Sequence, residues 1–310
     1  MIMKRRDLLK LSAIPLVGAA AAAKVQAANA DDLSYRVFTA VRQGLNREVP
    51  PGKESLMWVA NSSTLIWGKK DAVLVDTFLT VAQATTLADS IQATGKRLTT
   101  IYITHAHGDH FLGLAVLLNR FPNARALATP EVATRMRQQA TPEKLDSRWR
   151  KLFPGQIPDV VAFADAMEGD TIELEGRPLV AVPLGHTDTD GSTCLHVPSM
   201  GLVVAGDAVY NGIHPFMIES NRQTRPDWLK ALDRIEALKP RFVVAGHKVP
   251  EHDDKPLCIA ETRRYIQDFI RLNDETSTAA ELYQRMLALY PDLANPGSLW
   301  SSAQAAKKET

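Results

Sequence analysis

The chain is poor in cysteine and close to neutral, and beyond its first residues it has no long apolar run. Two cysteines in 310 residues, Cys194 and Cys258, are too few for a disulfide framework. Cys194 falls in an apolar, strand-like run, which favours a buried free thiol over a bridge. A net charge of +1 gives no electrostatic reason to expect nucleic acid or an anionic membrane as partner. After the N-terminal region, no apolar stretch is long enough to cross a bilayer. There is also no low-complexity linker and no short repeat. What remains is ordinary for a globular protein, with 45% hydrophobic and 23% charged residues.

The first thirty residues read as an export signal rather than as part of the fold. Lys4, Arg5 and Arg6 form a short basic start, and Leu8 to Ala23 is apolar and rich in alanine. Val25-Gln26-Ala27 and Ala28-Asn29-Ala30 both end in small-x-Ala patterns, so cleavage is expected after Ala27 or Ala30. The run Arg5-Arg6-Asp7-Leu8-Leu9 resembles a twin-arginine signal, which implies a periplasmic protein exported already folded. The run is too short and alanine-rich, and too interrupted by Pro15, to serve as an anchor. Residues 31–310 are then expected as a single domain. Residues 141–158, with Pro142, Pro154 and Pro158, form an insertion, and residues 256–310 form a helical C-terminal part.

Strands are expected near 35–41, 55–67, 71–76, 98–103 and 124–128. Asn61-Ser62-Ser63 marks a turn or irregularity in the second of them. A second set follows near 160–165, 171–175, 178–183, 192–197, 201–205 and 241–245, and a loop runs from Ala208 to Arg225. Helices are expected at 80–94, after Phe111, from Pro130, at 226–238, and at about 256–274 and 278–290. Strands with helices in both halves predict two mixed sheets packed face to face with helices outside, an α/β class.

The chemistry concentrates in Thr104-His105-Ala106-His107-Gly108-Asp109-His110. Four potential metal ligands occupy six residues between a strand and a helix, and they include three of the chain's eight histidines. Imidazole with carboxylate suits zinc first, with iron or manganese also compatible. Three later positions share one layout, an apolar strand followed by glycine and a ligand: Gly185-His186, Gly206-Asp207 and Gly246-His247. The set His105, His107, Asp109, His110, His186, Asp207 and His247 suffices for two cations, with Asp207 able to bridge them.

These motifs, in this order and spacing over about residues 55–250, resemble the metallo-β-lactamase-fold hydrolases. The resemblance implies an αβ/βα four-layer sandwich with the metals at the edge between two sheets. It implies His105, His107 and His186 on one metal, and Asp109, His110 and His247 on the other. Asp207 would bridge the two, and Asp76 would support the ligands from behind. Two dications held about 3.5–4 Å apart acidify a shared water towards neutral pH and polarise a carbonyl, so no serine or cysteine nucleophile is needed. Asp109 would also orient that nucleophile.

The residue after Gly206 is aspartate, where zinc β-lactamases with a cysteine ligand carry cysteine. This resembles the lactonase, glyoxalase II and phosphodiesterase branches. Tyr210 lies three residues beyond, the offset at which acyl-homoserine lactonases place a tyrosine facing the substrate carbonyl, and a phenol there could stabilise an oxyanion. Wall residues of a substrate pocket are sought among Trp58, Phe78, Phe111, Trp149, Phe153, His214, Phe216 and Met217. The reading is an exported enzyme with two zinc ions that opens a small cyclic ester or amide, lactones before β-lactams, as a monomer or homodimer. After signal cleavage no membrane association is expected. The alternatives are a mono-iron oxidoreductase resembling the persulfide dioxygenases, or a thioester or phosphodiester hydrolase of the same fold.

Overall fold

The computed structural model describes residues 33–43 and 57–309. The export segment 1–30, with its cleavage positions, and the side chain of Trp58 lie outside the described residues.

The first half comprises β1 (Ser34–Gln43), β2 (Met57–Trp67), β3 (Asp71–Val75), α1 (Val81–Gln92) and β4 (Arg97–Tyr102). It continues with α2 (Gly108–Phe111), α3 (Leu114–Arg120), β5 (Arg125–Ala128) and α4 (Pro130–Gln139). A short α5 (Pro142–Lys144) leads into a π-helical turn (Leu145–Arg150), and β6 is only Asp165–Ala166. The second half runs through β7 (Thr171–Leu174), β8 (Arg177–Gly185), β9 (Ser192–Val197), β10 (Leu202–Asn211), α6 (Arg225–Ala237) and β11 (Phe242–Lys248). It closes with α7 (Leu257–Glu275), α8 (Ala279–Leu289) and α9 (Pro296–Ala306).

Four local expectations change. Asn61-Ser62-Ser63 lies inside a continuous β2 rather than at a turn. The polar side chains are tolerated there because Ser62 donates to Ala245 O and Ser63 to Asp76 O. The strand expected at 160–165 shrinks to the two residues of β6. β10 continues past Ala208 to Asn211. A ninth helix, α9, follows Pro296 at its first turn.

The strands follow the order β6-β5-β4-β3-β2-β11-β10-β9-β8-β7, with β1 added on β2. The two halves meet in this ladder through a single residue pair, Asn61 of β2 with His247 of β11. Parallel pairing of β3, β4 and β5 follows from the helical crossovers between them. Alternation along each strand supplies two cores. Val73 and Val75 face one way, into a cluster with Ile66, Leu179, Leu195, Val204 and Val244 that joins the halves face to face. Ala72 and Leu74 face the other way, into the core beneath the helices with Leu87, Ile91, Trp228 and Phe269. This is the mixed-sheet sandwich with outer helices. Both cysteines are buried and unpaired. No helix among the described residues is long and apolar enough to cross a membrane.

The fold brings the C-terminal ends of β3, β4, β10 and β11 to one edge, beside the seam at Asn61. Asp76 and the His105–His110 turn follow β3 and β4, Asp207 lies within β10 at the break in its register with β11, and His247 lies near the end of β11, so all of them come close together.

Candidate metal centre

Three groups of ligand atoms converge at this edge, each with its atoms within 4.8 Å of one another: His105, His107, Asp188 and Asp207; Asp109, His110 and His247; and Asp76, His105 and His110. All these residues are buried. Glycine makes the approach possible at two points. A Cβ at Gly246 would collide with the Asp207 carboxylate, and one at Gly206, where φ is +53°, would lie 2.7 Å from Thr104 Oγ1.

Hydrogen bonds outside the cluster fix which ring atoms face inwards. Asp76, itself at φ +58°, accepts from Thr104 N at 2.8 Å and from Thr104 Oγ1 at 2.7 Å. Its Oδ2 also takes the Nδ1 proton of His110 at 2.9 Å. That leaves His110 Nε2 turned to Asp207 Oδ1, 3.1 Å away. Having given its proton to Asp76, the Thr104 hydroxyl can only accept from His105 Nδ1, 3.0 Å away. His105 Nε2 is then a bare lone pair, buried and without a hydrogen-bond partner. Burial, aided by His110, holds the His105 imidazole below its usual pKa, so it is neutral. His107 presents Nδ1 to Asp188 Oδ2 at 2.8 Å and Nε2 to Glu219 Oε1 at 3.3 Å. Burial alone would depress His107, but Asp188 and then Glu219 outweigh it and hold the imidazole up at about 10.

Asp207 lies between the groups. Its Oδ2 is 2.9 Å from His247 Nε2 and 3.8 Å from His105 Nε2. Burial would raise this carboxyl, yet His110, His247 and His105 together hold it well below the usual range. Asp109 Oδ2 accepts from Asn61 Nδ2 at 2.9 Å and lies 3.7 Å from His247 Nε2. Buried imidazole lone pairs and carboxylate oxygens pointing at common points, fixed by hydrogen-bond partners on their outer side, are the donor set of a divalent-metal site.

Six of the seven expected ligands meet here: His105, His107, Asp109, His110, Asp207 and His247. His186 does not. Its Nδ1 is bound to Asp190 Oδ1 at 2.6 Å on the outer side, and Asp188 occupies the inner position. Tyr210 is buried, donates its hydroxyl to Asp207 Oδ2 at 3.2 Å and stacks on His247. Burial first, and then Asp207, pushes its pKa far up, so the phenol keeps its proton.

The pocket over the cluster is lined by His107, Asp109, Arg148, Trp149, Asp207, Tyr210, Phe216, His247, Asn295 and Ser298. Trp149 and Phe216 thus belong to the wall. Phe111 does not, because it packs in the core against Phe163. Phe78, Phe153 and Met217 are core residues as well. His214 turns away to Tyr265, 3.0 Å from Nδ1, and Tyr265 lines a separate cavity of about 500 Å³.

Sequence reasoning did not single out Asn61, Asp188, Arg148 or Glu219. Asn61 was masked by its turn-like neighbours, and Asp188 by the Gly-His pair just before it. Arg148 and Glu219, 3.6 Å apart across the pocket mouth, sit in irregular segments with no pattern to mark them.

A family model described as the metallo-beta-lactamase superfamily matches residues 56–247. No curated protein sequence matches the chain. Among solved structures, it is similar to a metallo-beta-lactamase family protein from Thermus thermophilus, at 21% identity and a TM-score of 0.58, covering 86% of this chain and 92% of that one. It is also similar to a metallo-beta-lactamase from Pontibacter korlensis, at 17% identity and a TM-score of 0.54, covering 79% and 99%. A third is the metallo-beta-lactamase FIM-1 from Pseudomonas aeruginosa in its mono-zinc form, at 14% identity and a TM-score of 0.56, covering 80% and 96%. At these identities the structures speak for the fold. The chain belongs to the metallo-β-lactamase superfamily, and its buried His and Asp cluster gives it the donor set of a metal-dependent hydrolase.

Proposed function

We propose that the chain is an exported, periplasmic hydrolase that holds two zinc ions and opens a small cyclic ester or amide, lactones before β-lactams. The observation that carries this reading is Asp207. One buried carboxylate presents Oδ1 to His110 and Oδ2 to His247 and His105, and Oδ2 also accepts the Tyr210 hydroxyl. Two ions at these positions would supply an activated water and Lewis-acid polarisation of a carbonyl.

The chain's own residues do the rest. Asn61 holds Asp109 so that one carboxylate oxygen is fixed and the other can orient an attacking water. Tyr210 cannot act as a base at neutral pH, because burial keeps its proton in place. It can only donate, either to Asp207 or to oxygen charge developing on a substrate carbonyl. Trp149 and Phe216 wall the pocket with apolar surface and exclude bulk water from the reacting carbonyl. Arg148, 5.0 Å from the Trp149 ring and 3.6 Å from Glu219, makes the wall polar on that side, suited to a substrate with a polar tail.

A panel of acyl-homoserine lactones, simple lactones, a chromogenic β-lactam, a thioester and a phosphodiester tests this reading. Ring opening of a lactone as the fastest reaction is expected. Sulfur-dependent oxygen uptake with a single bound iron would overturn it.

A further inference from the structure

We propose that Glu219 is the positioning residue of His107. It holds the ring by Nε2, so that Nδ1 is the atom presented to a metal ion. The inference rests on the metal-dependent reading above and names a side chain that lies outside every ligand motif of the sequence.

The two nitrogens of His107 face different surroundings. Nδ1 is 2.8 Å from Asp188 Oδ2, on the side where His105 and Asp207 also converge. Nε2 is 3.3 Å from Glu219 Oε1. An imidazole that ligates a metal through one nitrogen keeps its proton on the other, and the acceptor of that proton sets both the tautomer and the orientation of the ring. Asp76 is that acceptor for His110, and the Thr104 hydroxyl is that acceptor for His105. For His107 the structure supplies Glu219. Phe216 packs across the same ring, with centroids 5.5 Å apart and planes at 83°, so packing and the hydrogen bond fix one orientation together.

Glu219 is itself held in place. Its Oε2 accepts the Thr189 hydroxyl at 2.8 Å, and Arg148 Nη1 lies 3.6 Å from Oε1. Arg148 in turn lies against two rings, 5.0 Å from the centre of Trp149 and 5.8 Å from that of Phe216. The turn that carries Glu219 is tied down as well. Ser220 is buried and donates from both N and Oγ to Met217 O, and Met217 N donates to Ser302 Oγ at 3.0 Å. An ion pair on an open surface leaves its carboxylate free to swing and contributes little. The Glu219 side chain is only 29% exposed, and each of its oxygens has a partner of its own.

One carboxylate therefore joins three segments that are far apart in the chain. It reaches the ligand turn through His107, the 186–190 segment through Thr189, and the 141–158 insertion through Arg148. The insertion that supplies Trp149 to the pocket wall is in this way fastened to a metal ligand.

The test measures zinc binding on the full chain, stripped with a chelator and titrated against a chromophoric chelator. Circular dichroism checks the fold of each variant. The wild type should take up two zinc ions. Glu219→Leu removes the acceptor and should weaken one of the two by about 10- to 100-fold. Glu219→Gln keeps a neutral acceptor for the Nε2 proton and should recover most of that loss. A role in stability alone would lower the urea midpoint without moving zinc affinity. Ring-nitrogen NMR of the zinc-loaded wild type should show His107 bound through Nδ1 with its proton on Nε2, and this readout stands even if a variant fails to fold. Wild-type zinc affinity in Glu219→Leu, no recovery in Glu219→Gln, or a zinc-loaded His107 with its proton on Nδ1 overturns the assignment alone. Failure of the wild type to bind any zinc overturns the assignment together with the proposed function.

Discussion

Asp76 is the position where one atom change should have the most legible effect. Its carboxylate satisfies three buried donors at once: Thr104 N, Thr104 Oγ1 and His110 Nδ1, at 2.7 to 2.9 Å. Asp76→Ala leaves all three without an acceptor. Each orphaned donor costs about 1–3 kcal/mol, and water or relaxation will recover part of that, so a loss of about 3–5 kcal/mol is expected. Asp76→Asn is more informative. Asparagine tolerates the left-handed backbone at φ +58°. Its amide oxygen can still accept from Thr104 N, but its NH2 group then faces His110 Nδ1. An NH2 group cannot accept a proton, so His110 must move its own proton to Nε2, the atom turned to Asp207. Asp76→Asn should therefore fold with a loss of only about 1–2 kcal/mol in urea denaturation of the metal-free protein. It should nonetheless bind one metal ion about 10- to 100-fold more weakly in a chelator competition. Wild-type metal affinity in Asp76→Asn would refute the claim that Asp76 sets the His110 tautomer.

Three further outcomes follow from the same geometry. Tyr210→Phe removes the hydroxyl that donates to Asp207 at the pocket, so the turnover number should fall about 100-fold with little change in the Michaelis constant; unchanged lactone kinetics would remove Tyr210 from the chemistry. Gly108→Ala would put a Cβ 2.6 Å from Trp149 Nε1 and 2.7 Å from Cε2, both in a rigid ring. Displacing Trp149 should cost about 1–3 kcal/mol, and a wild-type urea midpoint would show that the ring does not lie over the turn. His107, held protonated up to about pH 10 by Asp188 and Glu219 in the metal-free protein, must lose a ring proton to solvent before it can bind a metal. Metal loading at pH 7 should therefore release a proton, and affinity should rise with pH up to about 10. Calorimetry in two buffers of different ionisation enthalpy would contradict this if it found no proton release.

Legibility in the sequence followed how local each signal was. The His105–His110 turn is contiguous, and a single strand-to-helix junction sets its geometry, so its ligands can be read directly. Asp207 and His247 each follow an apolar strand and a glycine, and the fold uses those glycines for close approach. The same pattern at Gly185-His186 leads outwards, because the turn beyond it adds residues and delivers Asp188 instead. Nothing local distinguishes the two cases; the difference lies in how Thr187 and Thr189 fold the segment. Asn61 was hidden because its polar neighbours look like a turn. They are buried in β2 only because Ala245 and Asp76, more than ten residues away, accept their hydroxyl protons. His214 and Phe111 carry suitable side chains on suitable segments, but orientation along those segments is a tertiary property. The sandwich itself was legible, since alternation in the strands and periodicity in the helices both point to buried faces.

The central claim is that two ions held between Asp207 and its neighbours drive hydrolysis. Titrating zinc into the stripped protein while following lactone opening tests it most directly. Activity should be absent without metal, rise with added zinc and reach its plateau at two equivalents per chain. Full activity in the stripped protein, or a plateau at one equivalent, would contradict the account.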